Sequence, residues 1–193
     1  ASIGSRQIRN RGTVGGNLAN ASPAADLVPP LVVAKGVVEI AGKDGRRRMR
    51  LEDFFQGPGK TRLQLGEMIV AVEWPRPGPF QGSSFHKIGK RKAMSISTAS
   101  AAAAINFDAT GRITDIRLCL GSVGPVPILA RRTAEVVCKG GLNSLAAAVA
   151  MLENEIQPIS DMRGSAGYRR QAARKMLEQA VHEAWTLAKD KQS

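Results

Sequence analysis

The chain has 193 residues, 43% of them apolar and 23% charged, enough for one ordinary domain or two small ones and too apolar for a disordered chain. No apolar run approaches the ~20 residues a membrane helix needs, and the Gly- and Arg-rich opening lacks a signal peptide's apolar segment, so a cytoplasmic protein is expected. The formal net charge of +12 raises nucleic acid or an acidic partner as candidates.

Against nucleic acid, the positive groups are scattered: Arg9 and Arg11, residues 46–48, residues 90–92, Arg131 with Arg132, and Arg169 with Arg170. One tyrosine and two tryptophans are poor material for base stacking, and no helix-turn-helix, zinc-finger or RNA-recognition motif is present. A basic docking face with solvated helix surface accounts better for the charge. Cys119 and Cys138 sit in apolar surroundings and read as reduced core residues; two cysteines cannot hold a four-thiolate cluster, so iron–sulfur chemistry must come from another chain. His86 and His182 lie far apart and suggest no metal site.

In chain order, residues 1–23 are a glycine-rich loop with little periodicity. Residues 27–33 read as a short helix with Pro29 and Pro30 near its start. A strand over residues 37–40, a charged turn over 42–48 and a strand from Met49 to Leu51 follow. Residues 68–74 alternate as another strand. Pro75, Pro77 and Pro79 with Gly78 punctuate the sequence and predict a domain boundary, giving units 1–79 and 80–193. Residues 83–88, 95–106 and 112–122 read as strands, and residues 133–138 and 142–156 as helices. Residues 166–189 predict a long amphipathic helix. Its apolar stripe is Tyr168, Ala172, Met176, Ala180 and Ala184 with Leu177, Val181 and Trp185, while Arg169, Arg170, Arg174 and Lys175 point elsewhere. Strands followed by helices indicate an α+β fold, not a doubly wound one.

The most informative segment is residues 8–26, IRNRGTVGGNLANASPAAD. Gly15 and Gly16 let the backbone approach a ligand and adopt positive φ. Thr13 supplies a hydroxyl and Asn17 an amide, and consecutive backbone N–H groups there suit a diphosphate; a tight structural turn explains the same residues. A Rossmann fingerprint is absent. Gly59, Lys60 and Thr61 imitate the end of a phosphate-binding P-loop, but Phe54 stands where its first glycine is required.

Arg9 to Asn17 (RNRGTVGGN), followed by Ser22, Pro23 and Asp26, resembles the second flavin-binding signature of the FAD subunit of the xanthine dehydrogenase and carbon monoxide dehydrogenase family of molybdenum hydroxylases. Phe54 to Thr61, then Gly66, Glu67, Trp74 and Pro75, is similar to that subunit's next block. Phe85, His86 and Lys87 followed by Arg91, Ala93, Ser95, Ile96 and Ser97 resemble the strand entering its C-terminal domain. Two further blocks run from Gly121 to Glu135 and from Asp161 to Arg170, so the resemblance covers nearly the whole chain in order.

The resemblance implies the second subdomain of a two-part FAD-binding domain followed by a small α+β domain. Thr13, Val14, Gly15, Gly16 and Asn17 would wrap the FAD diphosphate, and Asp26 would hydrogen-bond within the cofactor site, unless it is a helix cap. Ile3 would lie beside the cofactor, Ile69 near its adenine end unless it is simple core, and Lys87 at the flavin side unless it is a solvated strand-end charge. An earlier glycine-rich flavin motif of the family is not found, so the sequence is expected to lack the N-terminal subdomain. The implied partners are that missing half, a small subunit carrying 2Fe–2S clusters and a large subunit carrying the molybdenum cofactor. Electrons would pass from the iron–sulfur clusters through FAD to NAD or oxygen. A basic nucleic-acid-binding protein or a flavin-free scaffold is the alternative.

Overall fold

The computed structural model describes residues 3–90 and 96–192. Three short helices lead: α1 (Arg6–Arg11), α2 (Val14–Ala19) and α3 (Val28–Val33). α1 is capped by Ser5 and α2 by Thr13, whose hydroxyls accept from Ile8 N at 3.1 Å and Gly16 N at 3.0 Å. α3 starts on Pro29 and Pro30, whose fixed φ suits a first helical turn.

A three-stranded antiparallel sheet, ordered β2-β1-β5, is built from β1 (Val37–Gly42), β2 (Gly45–Arg50) and β5 (Met68–Glu73). The predicted charged turn is shorter than expected. It closes at Gly45, where φ is +112°, and Arg46, Arg47, Arg48 and Arg50 belong to the edge strand β2. Carboxylates accommodate them: Arg46 pairs with Glu39 at 2.9 Å, Arg47 with Glu67 at 2.8 Å, and Arg48 with Glu73. Between β2 and β5, a 3-10 turn (Leu51–Asp53) leads into a small hairpin of β3 (Phe55–Gly57) and β4 (Lys60–Thr61). Gly59, Lys60 and Thr61 thus turn a hairpin, not a phosphate-binding loop.

The second sheet, ordered β6-β7-β8-β9, comprises β6 (Gln81–Gly89), β7 (Ser97–Phe107), β8 (Ile113–Gly121) and the two-residue β9 (Ile128–Leu129). The predicted start of β7 at Ser95 lies outside the described residues. α4 (Arg131–Gly140), α5 (Leu145–Met151) and α6 (Ala166–Lys189) cover one face. The single helix expected over residues 142–156 is instead a 3-10 turn (Gly141–Ser144), α5 and a second 3-10 turn (Leu152–Asn154). By composition Arg131–Asn154 is long and apolar enough to cross a membrane, contrary to the reading that no stretch approaches this. These breaks interrupt it, and Leu145, Ala148, Val149 and Leu152 are buried against the sheet.

β7 alternates between two cores. Ala99, Ala101, Ala103 and Ile105 face α4, α5 and α6. Ala102 and Ala104, with Cys119 of β8 and Phe85 of β6, face α3 and the first sheet's Val38 and Ile40. α6 matches its predicted bounds and buries Ala172, Met176, Leu177, Ala180, Val181 and Ala184 of its predicted stripe, with Trp185 packed beside them; the departures are at its start. Tyr168 is half exposed, while Arg169 is only 3% exposed. The inward position of Arg169 is explained by acceptors waiting there: its guanidinium donates to the carbonyls of Thr98 at 2.7 Å and Ser122 at 2.9 Å and pairs with Asp161 at 2.6 Å.

Candidate functional site

Two clusters of sequence-selected residues sit along α2 and α3. The first is the start of α2. Gly15 and Gly16 are helical, and neither has positive φ; the expected left-handed nest is therefore corrected to a capped helix start. Their lack of a side chain matters for packing instead. A Cβ on Gly15 would lie 3.7 Å from Ile69 of β5, and one on Gly16 would lie 3.0 Å from the capping Thr13 hydroxyl. α2 thus lies against β5 with Ile69 beside Gly15, and Ile69 also packs on the first sheet's core. Thr13, Val14 and Gly16 stay exposed. The Asn17 side-chain oxygen is buried and has no hydrogen-bond partner. An unsatisfied buried acceptor costs about 1–3 kcal/mol, a cost that a ligand donor would remove. Ile3 precedes α1, its carbonyl accepting from the Arg9 guanidinium at 3.0 Å.

The second cluster centres on Asp26, which is buried just before α3. It does not cap the helix: the N-cap is Leu27, without a side-chain cap bond. Asp26 instead accepts from the Lys87 ammonium at 2.5 Å and from the Ser97 hydroxyl. Lys87 is only 16% exposed, so it is no solvated strand-end charge. Its side chain emerges on the α3 face of β6, where the period-two alternation of a strand places Phe85 as well. Ser97, absent from the sequence-based site, is fully buried and anchors the carboxylate from β7. Its own carbonyl accepts from the Ser122 hydroxyl at 3.0 Å, and Ser122 N donates to the Pro23 carbonyl at 2.8 Å. Ser122 has φ +64°, a strained position for a residue with a side chain. The segment before α3 is in this way bolted to the ends of β7 and β8. Beside it a cavity of about 350 Å³ is bordered by Pro23, Ser122, Asp161, Arg163 and Arg169.

The structure thus joins Gly15 with Ile69, and Asp26 with Lys87, and strings both pairs along one segment. Arg91, Ala93 and Ser95 fall outside the described residues. Neither cysteine is engaged, and burial pushes the Cys119 thiol well above its usual range. Among the described residues no group of His, Cys, Asp and Glu could hold a metal.

Comparison with known proteins meets this geometry. Residues 1–77 match the FAD binding domain in molybdopterin dehydrogenase, and residues 84–184 the CO dehydrogenase flavoprotein C-terminal domain. The chain is 35% identical over 191 residues to the carbon monoxide dehydrogenase medium chain of Afipia carboxidovorans, covering 97% of this chain and 65% of the relative. It is 32% identical, with the same coverage, to the xanthine dehydrogenase FAD-binding subunit of Escherichia coli O157:H7. Among solved structures, carbon monoxide dehydrogenase from Hydrogenophaga pseudoflava superposes with a TM-score of 0.91 at 28% identity, over 96% of this chain and 64% of that one. The chain therefore spans about 65% of the length of the curated relatives it matches. Both of its halves match consecutive parts of one kind of subunit, and the chain belongs to the family of FAD-binding medium subunits of molybdenum hydroxylases.

Proposed function

We propose that the protein works as the flavin-carrying electron-transfer subunit of a molybdenum hydroxylase, with FAD held along α2 and the segment before α3. The observation that carries this is the Asn17 side-chain oxygen, buried without a partner beside the exposed Thr13 and Gly16. The residues present suit the cofactor. Thr13, Val14, Gly15, Gly16 and Asn17 offer backbone and side-chain polar groups to a diphosphate, Ile69 and Ile3 offer apolar walls, and Lys87 offers a cation fixed by Asp26 at 2.5 Å. Bound FAD supplies the redox chemistry. The chain's own task is to orient it. Thr13 fixes the first turn of α2 by accepting from Gly16 N. The Asp26 and Ser97 pair holds the Lys87 ammonium at one place and prevents it from following the charge on a ligand.

In the whole assembly we take residues 1–79 and 80–193 as successive units, with a 2Fe–2S small subunit delivering electrons and a molybdenum-cofactor large subunit hydroxylating the substrate. NAD or oxygen is the final acceptor in this reading. The test is a visible spectrum and an inventory of accompanying chains for the protein isolated gently from its source. Flavin and iron–sulfur bands with small and large partner chains support the reading. A colourless protein isolated alone would overturn it and leave a scaffold. Asn17→Ala should lower flavin affinity about tenfold, the worth of one hydrogen bond that the Asn17 oxygen accepts from a cofactor hydroxyl, without lowering the Tm of the flavin-free chain; an unaltered flavin content removes Asn17 from the site.

A further inference from the structure

We propose that the cavity between the C-terminal end of α3 and β8 is a binding site for a phosphate or phosphoryl group. It lies at the opposite end of α3 from Asp26, has a volume of about 320 Å³, and is lined by Lys35, Arg50 and Arg117 with a single carboxylate, Glu52.

Glu52 is crowded with cations. Arg117 donates to it, Arg131 does so at 3.1 Å from the start of α4, and Arg50 stands 3.7 Å away. Lys35 is held by Asp115 at 2.8 Å. Four cationic groups therefore share two carboxylates, and three of the cations with one of the carboxylates border the cavity. Arg117 is the deepest of the four, with a side chain 16% exposed. One of its terminal nitrogens serves Glu52 and the Val32 carbonyl, while its Nε is buried without a partner. A guanidinium presents five donors in a rigid fork that matches phosphate oxygens, and Glu52 and Val32 use the Arg117 fork only in part.

Two further features fit. Arg50 is 74% exposed and only loosely engaged, so it can close on a ligand without breaking a good hydrogen bond. Lys35 ends α3 with φ +60°, and its neighbour Gly36 N donates to the Leu31 carbonyl at 2.8 Å. That left-handed position ordinarily favours glycine, yet a lysine occupies it and borders the cavity. A doubly charged phosphate answers this charge excess better than a carboxylate. The volume exceeds that of a bare phosphate, so the group can be free or attached to a larger molecule.

The experiment titrates inorganic phosphate, and separately AMP, into the full chain by calorimetry and phosphorus NMR, with ionic strength held constant by chloride. Saturable binding is expected. Arg50→Gln should weaken it about tenfold, the loss of one charge-assisted hydrogen bond. Arg46→Gln removes the same charge from the same strand but at the Glu39 pair, and should leave binding unchanged. Both sites are exposed, and matching melting curves confirm that neither variant perturbs the fold. Tighter binding of AMP than of phosphate assigns the site to the phosphoryl group of a larger molecule; equal binding assigns it to free phosphate. No saturable binding of either probe, or equal weakening in both variants, overturns the proposal.

Discussion

Asp26 and Lys87 are a partly buried ion pair whose partners sit 61 residues apart in sequence. Removing one member leaves the other charged in an apolar setting, which is more costly than never having had the pair. Lys87→Met should destabilise the protein by about 2–3 kcal/mol, below the usual value for a fully buried pair because Lys87 retains some solvent contact. Urea denaturation measures it, and a loss under about 0.5 kcal/mol would mean Asp26 is held by Ser97 alone. Glu67 gives a pH-dependent case. The Arg47 guanidinium, aided by the Gln64 N–H, lowers its carboxyl from 4.5 to about 2. The folded value lies below the unfolded one, so the stabilisation is complete above about 4.5 and fades as pH falls toward 2. Carboxyl titration by NMR should place the Glu67 midpoint near 2, and Arg47→Gln should return it toward 4.5. At this scale the sequence was partly legible. Asp26 and Lys87 could be picked out, but not their mutual bond, because nothing local states that a strand end will return to the segment before α3. Arg169 was placed on the wrong face because helical periodicity treats arginine as solvent-seeking, whereas the Thr98 and Ser122 carbonyls that draw it inward come from distant strand ends.

Elements were easier to read where one face is apolar over its whole length. α6 appeared with its bounds because capping by Ser165 and an unbroken helical period agree. Residues 142–156 misled because Ala and Leu give a helical pattern, while Gly141, at φ +59°, sits under Trp185, and α5 is packed between α4 and α6. The docking of α6 on the sheet rests on small residues: Ala180, Ala184 and Ala188 are fully buried. Gly82 of β6 is the tightest point of that contact. A Cβ there would stand 1.9 Å from the Ala184 carbonyl oxygen and 2.5 Å from Ala188 N, both rigid helix backbone. Gly82→Ala should therefore lift the C-terminal end of α6 and cost more than about 3 kcal/mol, beyond the usual penalty for overpacking because backbone cannot rotate away. Hydrogen exchange should show the loss concentrated in the last turns of α6. Uniform exchange across the sheet would point to general unfolding instead.

The two sheets do not keep separate cores. α3 lies between them, contacting β6, β7 and β8 on one side while sharing a cluster with Val38, Ile40, Leu51 and Phe54 on the other. Glu52 adds a polar clamp across the same junction. Burial opposes its ionisation, but hydrogen bonds from Arg117 of β8 and Arg131 of α4 outweigh this and hold the carboxyl below its usual range. A proline-rich connection suggested two units, and the family matches break near the same place; neither fact requires independent folding. A core that spans the junction has no cheap place to divide, so the chain should unfold in one cooperative transition. Cys119 offers a direct probe. Its thiol is fully buried in the shared cluster and reacts only when α3 leaves the sheet, whereas Cys138 is partly exposed and is replaced by alanine in the test protein. Thiol labelling of Cys119 across a urea series should share its midpoint with the fluorescence change of Trp74, which belongs to the end of the first sheet, and of Trp185 in α6. Labelling at lower urea, with Trp185 still native, would show that the first sheet and α3 detach as a body, and the junction would then be a hinge and not a core.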